Sequence, residues 1–219
     1  MTDSRKEDDK MNVLMINGSP NAKGCTFTAL TEIGKTLQEQ NIDYEIMQLG
    51  KQPIRDCINC NRCHGEGCIF DDDMVNEFIQ KAKDADGFVF GTPVYYAHPR
   101  LLSFLDRAFY SSASSRIYKP FQFKPAAAIA SARRAGTTAS IDVINKYFSI
   151  AMMPIVSSTY WNMVHGLTPE DVMRDKEGLQ TMRNIGKNMA WMLQCIACAK
   201  QHNIPQPQPD VADSTNFIH

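Results

Sequence analysis

The segment of residues 11–30 constrains the fold of this chain more than any other stretch. It begins with a continuous apolar run at residues 13–16, as expected for a strand that is covered on both faces. The polar residues 17–20 end this strand, and a helical pattern begins near Thr26. A loop between a strand and a helix collects free backbone N–H groups and faces the positive end of the helix dipole. The segment therefore predicts an anion site, with hydroxyl groups from Ser19, Thr26 and Thr28 as further donors.

A phosphate group is the expected anion, and two common phosphate loops are excluded by the sequence. Residues 17–28 contain neither the GxxxxGK[ST] pattern nor the dinucleotide-binding GxGxxG pattern. The order G-S-P-x-x-x-G-x-T resembles instead the FMN phosphate loop of flavodoxin-like NAD(P)H-dependent reductases. On these residues alone, an ordinary turn between a strand and a capped helix is the alternative.

The remainder of the chain alternates strands with amphipathic helices. Predicted strands lie at residues 13–16, 44–49, 87–90, 125–130 and 154–157. Helices are expected to begin near Thr26, Asp73 and Pro99, a fourth helix should contain Ile141, and the last should span residues 179–199. This alternation indicates a parallel sheet with helices on both faces. We expect a flavodoxin-like three-layer sandwich with a five-stranded parallel sheet in the order 2-1-3-4-5. The loops after strands 1, 3 and 4 should then meet at the carboxyl ends of the strands, where such sheets bind ligands.

Composition narrows the range of functions and locations. The chain has 219 residues and a formal net charge of −1, which gives no electrostatic reason to expect nucleic acid or an anionic membrane as a partner. Neither a signal peptide nor a membrane-spanning run is visible, so the cytoplasm is the expected location. We predict a disordered lead-in at residues 1–10, one domain at residues 11–200 with a cysteine-rich insert at residues 57–68, and an extended or disordered tail at residues 201–219.

Two further segments carry the resemblance to a known family. GTPVYYAHPRLLSFLDR resembles the flavin-ring loop and following helix of the NADPH-dependent FMN reductase and iron–sulfur flavoprotein families, and SARRAGTTAS resembles their second flavin loop. The resemblance implies FMN contacts from Ser19, Asn21, Cys25, Thr26, Phe27, Thr28, Pro93, Val94, Tyr95, Tyr96, His98, Arg133, Arg134, Ala135, Gly136 and Thr137. The family often has Arg in place of Asn21 and Asn in place of Cys25, so here phosphate binding depends more on backbone donors. We interpret Cys25 as a small residue tolerated in the loop and not as a reactive thiol.

The activity implied by the resemblance is that of an NAD(P)H-dependent FMN oxidoreductase. Hydride would pass from the nicotinamide to FMN and then to a quinone, free flavin or similar small acceptor, with the flavin carrying the chemistry and no residue acting as a catalytic acid or base. A homodimer or homotetramer is expected, because resembling proteins complete shallow flavin pockets with a neighbouring subunit. An iron–sulfur flavoprotein that carries electrons is one alternative, and a non-enzymatic flavin-binding redox sensor is another.

Seven cysteines, four of them clustered, indicate reduced thiols or metal ligands and not a disulfide framework. Cys57, Cys60, Cys63 and Cys68 form a compact C-x2-C-x2-C-x4-C motif, whose spacing suits a [4Fe-4S] cluster better than zinc. Reductases related by the YWNMVHG segment have similar cysteines without a cluster, so thiols packed in an interface loop are the alternative. Cys195 and Cys198 share one face of the last helix, where we expect buried packing.

Overall fold

The computed structural model describes residues 10–63, 65, 67–114, 117–213, 215 and 217, so most of the predicted lead-in lies outside the described residues. The elements within these ranges are β1 (Asn12–Asn17), α1 (Cys25–Glu39), β2 (Asp43–Gln48), α2 (Val75–Asp84), β3 (Gly87–Tyr95), β4 (His98–Pro99), α3 (Leu102–Ser112), β5 (Ala126–Ala132), α4 (Thr137–Ile150), β6 (Met163–His165), α5 (Pro169–Arg174) and α6 (Lys176–Gln201). No helix among these residues is long and apolar enough to cross a membrane.

Five parallel strands form the sheet in the spatial order β2-β1-β3-β5-β6, and the short β4 pairs antiparallel with β3. Numbered along the chain, the parallel strands have the order 2-1-3-4-5, which confirms the predicted flavodoxin-like arrangement. The connection that crosses from β2 over β1 to β3 creates a switch point between β1 and β3. This topology brings the carboxyl ends of β1, β3 and β5 together at one edge.

The two faces of the sheet bury separate hydrophobic clusters. Along β1, Leu14 and Ile16 face the cluster that contains α2, α3 and α4, whereas Val13 and Met15 face the cluster that contains α1 and α6. Since strand side chains alternate between faces, a central strand covered on both sides needs a continuous apolar run. Phe78 of α2 fills the first cluster by contacting the rings of Phe88, Phe90, Phe104 and Phe121. These layers hold the strand ends rigidly where the loops emerge.

The fifth parallel strand differs in position from the prediction. Residues 154–157 form only an isolated bridge, in which Ile155 pairs with Ala126. The ladder beside the end of β5 is made by β6, which lies outside the predicted strands. The chain leaves the sheet after Val156, and Asn162 closes the excursion by donating its side-chain amide to the Val156 carbonyl at 3.3 Å. The fifth position of the sheet is therefore filled by two short pieces with a surface loop between them.

Three other features of the C-terminal half were missed or misplaced. The short helix α5 begins with a capping box, in which Thr168 and Asp171 exchange side-chain to backbone hydrogen bonds. The last helix begins at Lys176, three residues earlier than predicted, because Asp175 accepts a hydrogen bond from the Gly178 N–H. Cys195 and Cys198 are exposed, so the prediction of buried packing was wrong.

Candidate functional site

The loop after β1 is held in shape by hydrogen bonds to neighbouring strands. The Gly18 N–H donates to the Gly91 carbonyl at 2.8 Å, and a Cβ at residue 18 would lie 2.8 Å from the same oxygen, so only glycine fits. Ser19 is buried, its hydroxyl accepts from the Asn21 N–H at 3.2 Å, and its carbonyl accepts from the Gln48 amide at 2.6 Å. These contacts fix the path of the backbone into α1.

The first turn of α1 presents unpaired backbone donors to this loop. Gly24 is the N-cap residue and provides no side-chain acceptor, and the first turn contains no acidic residue. Two of the predicted hydroxyl donors are engaged within the chain, since Thr28 donates to the Gly24 carbonyl at 3.2 Å and Thr26 hydrogen-bonds Ser131 at 2.8 Å. Within the described residues, the anion-binding capacity of the loop therefore comes mainly from backbone N–H groups and the helix dipole.

The second predicted loop is a tight hairpin between β3 and β4. Tyr95 pairs with His98, and the two residues between them, Tyr96 and Ala97, have φ values of +46° and +60°. Positive φ at both central residues is the geometry of a type I′ turn, which usually contains Asn or Gly. The Tyr96 side chain is 98% exposed. An exposed aromatic side chain on a strained backbone indicates a functional role for this turn.

The third loop lies directly against the second. Gly136, the N-cap residue of α4, has a φ of +92°, and a Cβ there would lie 2.8 Å from Val94 Cγ1 and 2.9 Å from Ala97 Cα. The first turn of α4 also has no acidic residue and no side-chain cap. Two helix N-termini, those of α1 and α4, therefore open toward the same edge of the sheet.

Arg100 connects the first two loops, and sequence reasoning did not identify it. Its backbone N–H donates to Thr92 Oγ1 at 2.9 Å, and its Nη1 donates to the Gly18 carbonyl at 2.8 Å. Together with the hydrogen bond between Thr26 and Ser131, this contact brings all three predicted loops into one site. The only available signal was an Arg that follows the His-Pro pair at the end of the second loop.

The predicted FMN-contacting residues differ in their exposure. Among them, Ser19, Thr26 and Thr137 are buried, Cys25, Phe27, Thr28, Pro93, Val94 and Gly136 are half-buried, and Asn21, Tyr95, Tyr96, His98, Arg133, Arg134 and Ala135 are exposed. Arg133 and Arg134 make no ion pair with a described residue. Their charges remain available to an anion near the third loop.

The β6 segment forms a further wall of the site. Thr137 Oγ1 donates to Met163 Sδ at 3.2 Å, and Cys25 Sγ donates to the Gly166 carbonyl at 3.6 Å. Burial raises the pKa of the Cys25 thiol, which outweighs the lowering effect of a backbone hydrogen bond. The thiol is therefore largely protonated at neutral pH, as expected for a packing residue and not for a nucleophile.

The four clustered cysteines lie near one another, and Cys68 contacts α2 through Asn76 and α3 through Arg107. Burial raises the pKa of the Cys63 thiol, and the nearby thiols of Cys68, Cys60 and Cys57 raise it further. In the described part of the chain, however, no three His, Cys, Asp or Glu side chains are arranged to hold a metal ion. The thiols suit an iron–sulfur cluster in type and number, but here they do not converge on one point.

Arg107 organises this cysteine segment, and it too was missed by sequence reasoning. The side chain is 1% exposed and forms an ion pair with the buried carboxylate of Asp73. Its other N–H groups donate to Cys68 Sγ at 3.3 Å and to the Phe70 carbonyl at 3.2 Å. The available signal was a charged residue at a core-facing position of α3, the helix that follows the second loop.

Comparison with known proteins agrees with this geometry. The profile of the NADPH-dependent FMN reductases matches residues 11–168, a range that contains all three loops and the cysteine segment. The chain belongs to the NADPH-dependent FMN reductase family. The resemblance seen in the sequence is thereby confirmed, and the protein is a flavin-dependent oxidoreductase.

Proteins similar in sequence to this chain include several iron–sulfur flavoproteins. One from Methanocaldococcus jannaschii is 33% identical over 196 residues, covering 85% of this chain and 99% of the relative. A second from the same organism is 28% identical over 186 residues, covering 79% of this chain and 92% of the relative. The first of these matches covers more of the chain than the FMN reductase profile does.

Solved structures show the same fold at low sequence identity. An NAD(P)H:quinone oxidoreductase from Methanothermobacter marburgensis superposes with a TM-score of 0.62 at 16% identity, over 82% of this chain and 99% of that one. An archaeal flavodoxin superposes with a TM-score of 0.56 at 15% identity, over 84% of this chain and 99% of that one. At sequence identities this low, the similarity supports the fold and not a shared activity.

Proposed function

We propose that this protein is an FMN-dependent NAD(P)H oxidoreductase that transfers hydride from a nicotinamide to FMN and onward to a quinone, free flavin or similar small acceptor. The observation that carries the proposal is the meeting of three loops at two uncapped helix N-termini, those of α1 and α4. Bound FMN would supply the redox chemistry. The chain supplies binding, orientation and electrostatics.

The first loop would hold the FMN phosphate. The unpaired N–H groups at the start of α1 are aimed at this loop, and Asn21 lies exposed at its rim. Because the hydroxyls of Thr26 and Thr28 are engaged within the chain, backbone donors would make most of the phosphate contacts. Such donors are fixed by the helix and need no reorganisation when the phosphate arrives.

The second and third loops would hold the isoalloxazine ring. Tyr95 and Tyr96 are exposed and shape one side, while the turn at Gly136 brings backbone N–H groups to another side. Donors at this position favour the electron-rich reduced ring. Arg133 and Arg134 are exposed beside the third loop and would attract the phosphates of the nicotinamide nucleotide. We infer no proton-transfer residue, because hydride transfer to the ring requires none.

A single charge in the phosphate loop tests this assignment. Asn21→Asp places a carboxylate at the rim of the proposed phosphate site, and two unit negative charges at a separation of about 6 Å repel by about 0.7–3 kcal/mol. We expect FMN affinity, measured by quenching of flavin fluorescence, to fall at least about tenfold. Asn41→Asp, an equally exposed change at the far end of α1, is the matched control and should leave affinity unchanged.

Activity is tested separately with the FMN-loaded protein, by oxidation of NADH and NADPH with a quinone or free flavin as acceptor. Turnover with either nucleotide supports the proposal. FMN binding without turnover for any acceptor would instead identify a non-enzymatic flavin-binding redox sensor. A protein that stays colourless and does not bind FMN at micromolar concentration would refute the assignment of the site.

An iron–sulfur flavoprotein that carries electrons is the second candidate function. It is favoured by the three thiols near Cys63 and by the N–H group that Arg107 donates to Cys68 Sγ, a contact that would also stabilise a cluster sulfur. Cys57, Cys60, Cys63 and Cys68 would be the ligands. A broad absorbance shoulder that dithionite bleaches, with about four irons per chain, is the expected result, and flavin bands without iron would exclude it.

We further propose that the protein works as a homodimer or homotetramer. Tyr96 in the second loop, and Tyr160 and Trp161 just before β6, expose aromatic surface. A neighbouring subunit that covers these side chains would exclude water from the ring. Light scattering coupled to size exclusion measures the assembly, and a monomer that oxidises NAD(P)H at full rate would contradict the idea.

A further inference from the structure

A second cavity lies at the opposite end of the sheet from the candidate FMN site. Its volume is about 450 Å³, within the range of small-molecule pockets. Met11, Asp86 and Lys124 line it and lie just before β1, β3 and β5, so the cavity opens at the amino ends of the parallel strands. The last turns of α6 form its other wall. Neither the family assignment nor the proposed function uses this region.

The charged groups of this cavity are mostly positive. Lys119, Lys124 and Lys200 line it together with a single carboxylate, Asp86. Asp86 already accepts a hydrogen bond from the Asn12 N–H at 2.9 Å, and Lys124 donates to the Ala82 carbonyl at 2.8 Å. Burial lowers the pKa of Lys124, and the Asp86 carboxylate offsets part of this effect. With three lysines and one carboxylate in its lining, the cavity presents an excess of positive charge to an anion.

Lys119 and Lys200 are available to such an anion. Both side chains are exposed, and neither makes an ion pair or a side-chain hydrogen bond with any residue that the structure describes. The buried Oε1 of Gln122 also has no hydrogen-bond partner, but as an acceptor it would bind a water or a hydroxyl group and not the anion itself.

One wall of the cavity is apolar. Leu193 is buried, Ile196 and Ala197 are half-buried on the same side of α6, and Met11 and Phe123 complete the surface. Exposed lysines beside an apolar wall match a ligand that has an anionic group and a hydrocarbon body. We propose that this cavity binds a small amphipathic anion, a carboxylate or sulfonate attached to an apolar body, with Lys119 and Lys200 contacting the anionic group.

The test uses the FMN-loaded protein and two defined probes at low ionic strength. Anilinonaphthalene sulfonate reports binding by its fluorescence, and decanoate is titrated to displace it. Decanol, which has the same chain without the charge, measures the contribution of the lysines. Lys119→Gln and Lys200→Gln remove the charges, and Ala197→Trp fills the cavity. Lys187→Gln is the matched control, because Lys187 is exposed on α6 and does not line the cavity.

We expect saturable binding at one site per chain, displaced by decanoate and poorly by decanol. The two lining lysine variants should each weaken decanoate binding about tenfold, as charged hydrogen bonds usually do, Ala197→Trp should abolish it, and Lys187→Gln should not change it. The inference is overturned if decanol binds as tightly as decanoate, if Lys187→Gln weakens binding as much as the lining variants, or if added FMN displaces the probes. The visible flavin spectrum of each variant verifies that the fold and the FMN site are retained.

Discussion

Replacing Arg107 with Met is the sharpest test of the buried contacts around the cysteine segment. Arg107 and Asp73 have side chains that are 1% and 5% exposed, and the guanidinium also donates to Cys68 Sγ, the Phe70 carbonyl and, at 3.4 Å, the Arg55 carbonyl. Met fills a similar volume but carries no N–H group. The substitution therefore leaves a buried carboxylate, a sulfur and two carbonyls without their donor.

Removing one partner of a buried ion pair costs about 3–5 kcal/mol, because the remaining charge stays out of water. With a urea m-value of about 2–3 kcal/mol per M, the unfolding midpoint of Arg107→Met should fall by about 1–2 M. The double variant Arg107→Met with Asp73→Asn removes the stranded charge, so it should recover part of this loss. Coincident transitions by far-UV circular dichroism and tryptophan fluorescence would establish that both variants unfold in two states.

The neighbouring ion pair between Arg55 and Asp72 provides a matched control in the same segment. Its N···O distance is 2.5 Å, but the two side chains are 57% and 54% exposed, so water already solvates both charges. Arg55→Met should leave the unfolding midpoint almost unchanged. If Arg107→Met loses no more stability than Arg55→Met, burial does not decide the strength of these contacts and our reasoning is refuted.

Three further predictions concern the candidate FMN site. Gly136→Val should weaken FMN binding in fluorescence titrations and destabilise the fold by about 1–3 kcal/mol, because φ is +92° and no Cβ fits. At pH 8, iodoacetamide should modify Cys25 more slowly than exposed Cys195 in mass-spectrometric time courses, because burial raises the Cys25 pKa and leaves less thiolate. Ala97→Gly should stabilise the fold by about 1 kcal/mol in urea unfolding, whereas the same change at helical Ala139 should cost about 1 kcal/mol.

The sheet could be predicted because its signal is local and repeated. Continuous apolar runs mark central strands, and alternation with helices indicates parallel connections. The order of the strands was expected from the flavodoxin-like resemblance, and that order identifies the edge where the loops meet. The fifth strand was misplaced for a physical reason. Residues 154–157 have the composition of a strand, but the sequence does not reveal that the chain leaves the sheet after Val156 and returns at Met163.

The parts of the candidate site that the sequence did not predict depend on contacts between residues that are far apart in the chain. The hydrogen bond between Thr26 and Ser131 joins residues 105 positions apart, and Arg107 reaches back 34 positions to Asp73. Hydroxyl groups beside a glycine-rich loop look like ligand donors in the sequence. The structure shows that two of them, on Thr26 and Thr28, are used to hold the loop.

The way in which the loops are tied determines how the site would bind its ligand. Gly18 hydrogen-bonds Gly91, Arg100 hydrogen-bonds both Thr92 and Gly18, and Thr26 hydrogen-bonds Ser131, so contacts within the chain fix the loops to one another. Loops that are tied in this way lose little conformational entropy when a ligand enters. The groups left uncommitted are backbone N–H donors and exposed tyrosines. A phosphate at one end and an aromatic ring at the other are the chemistry that such a set of groups can hold.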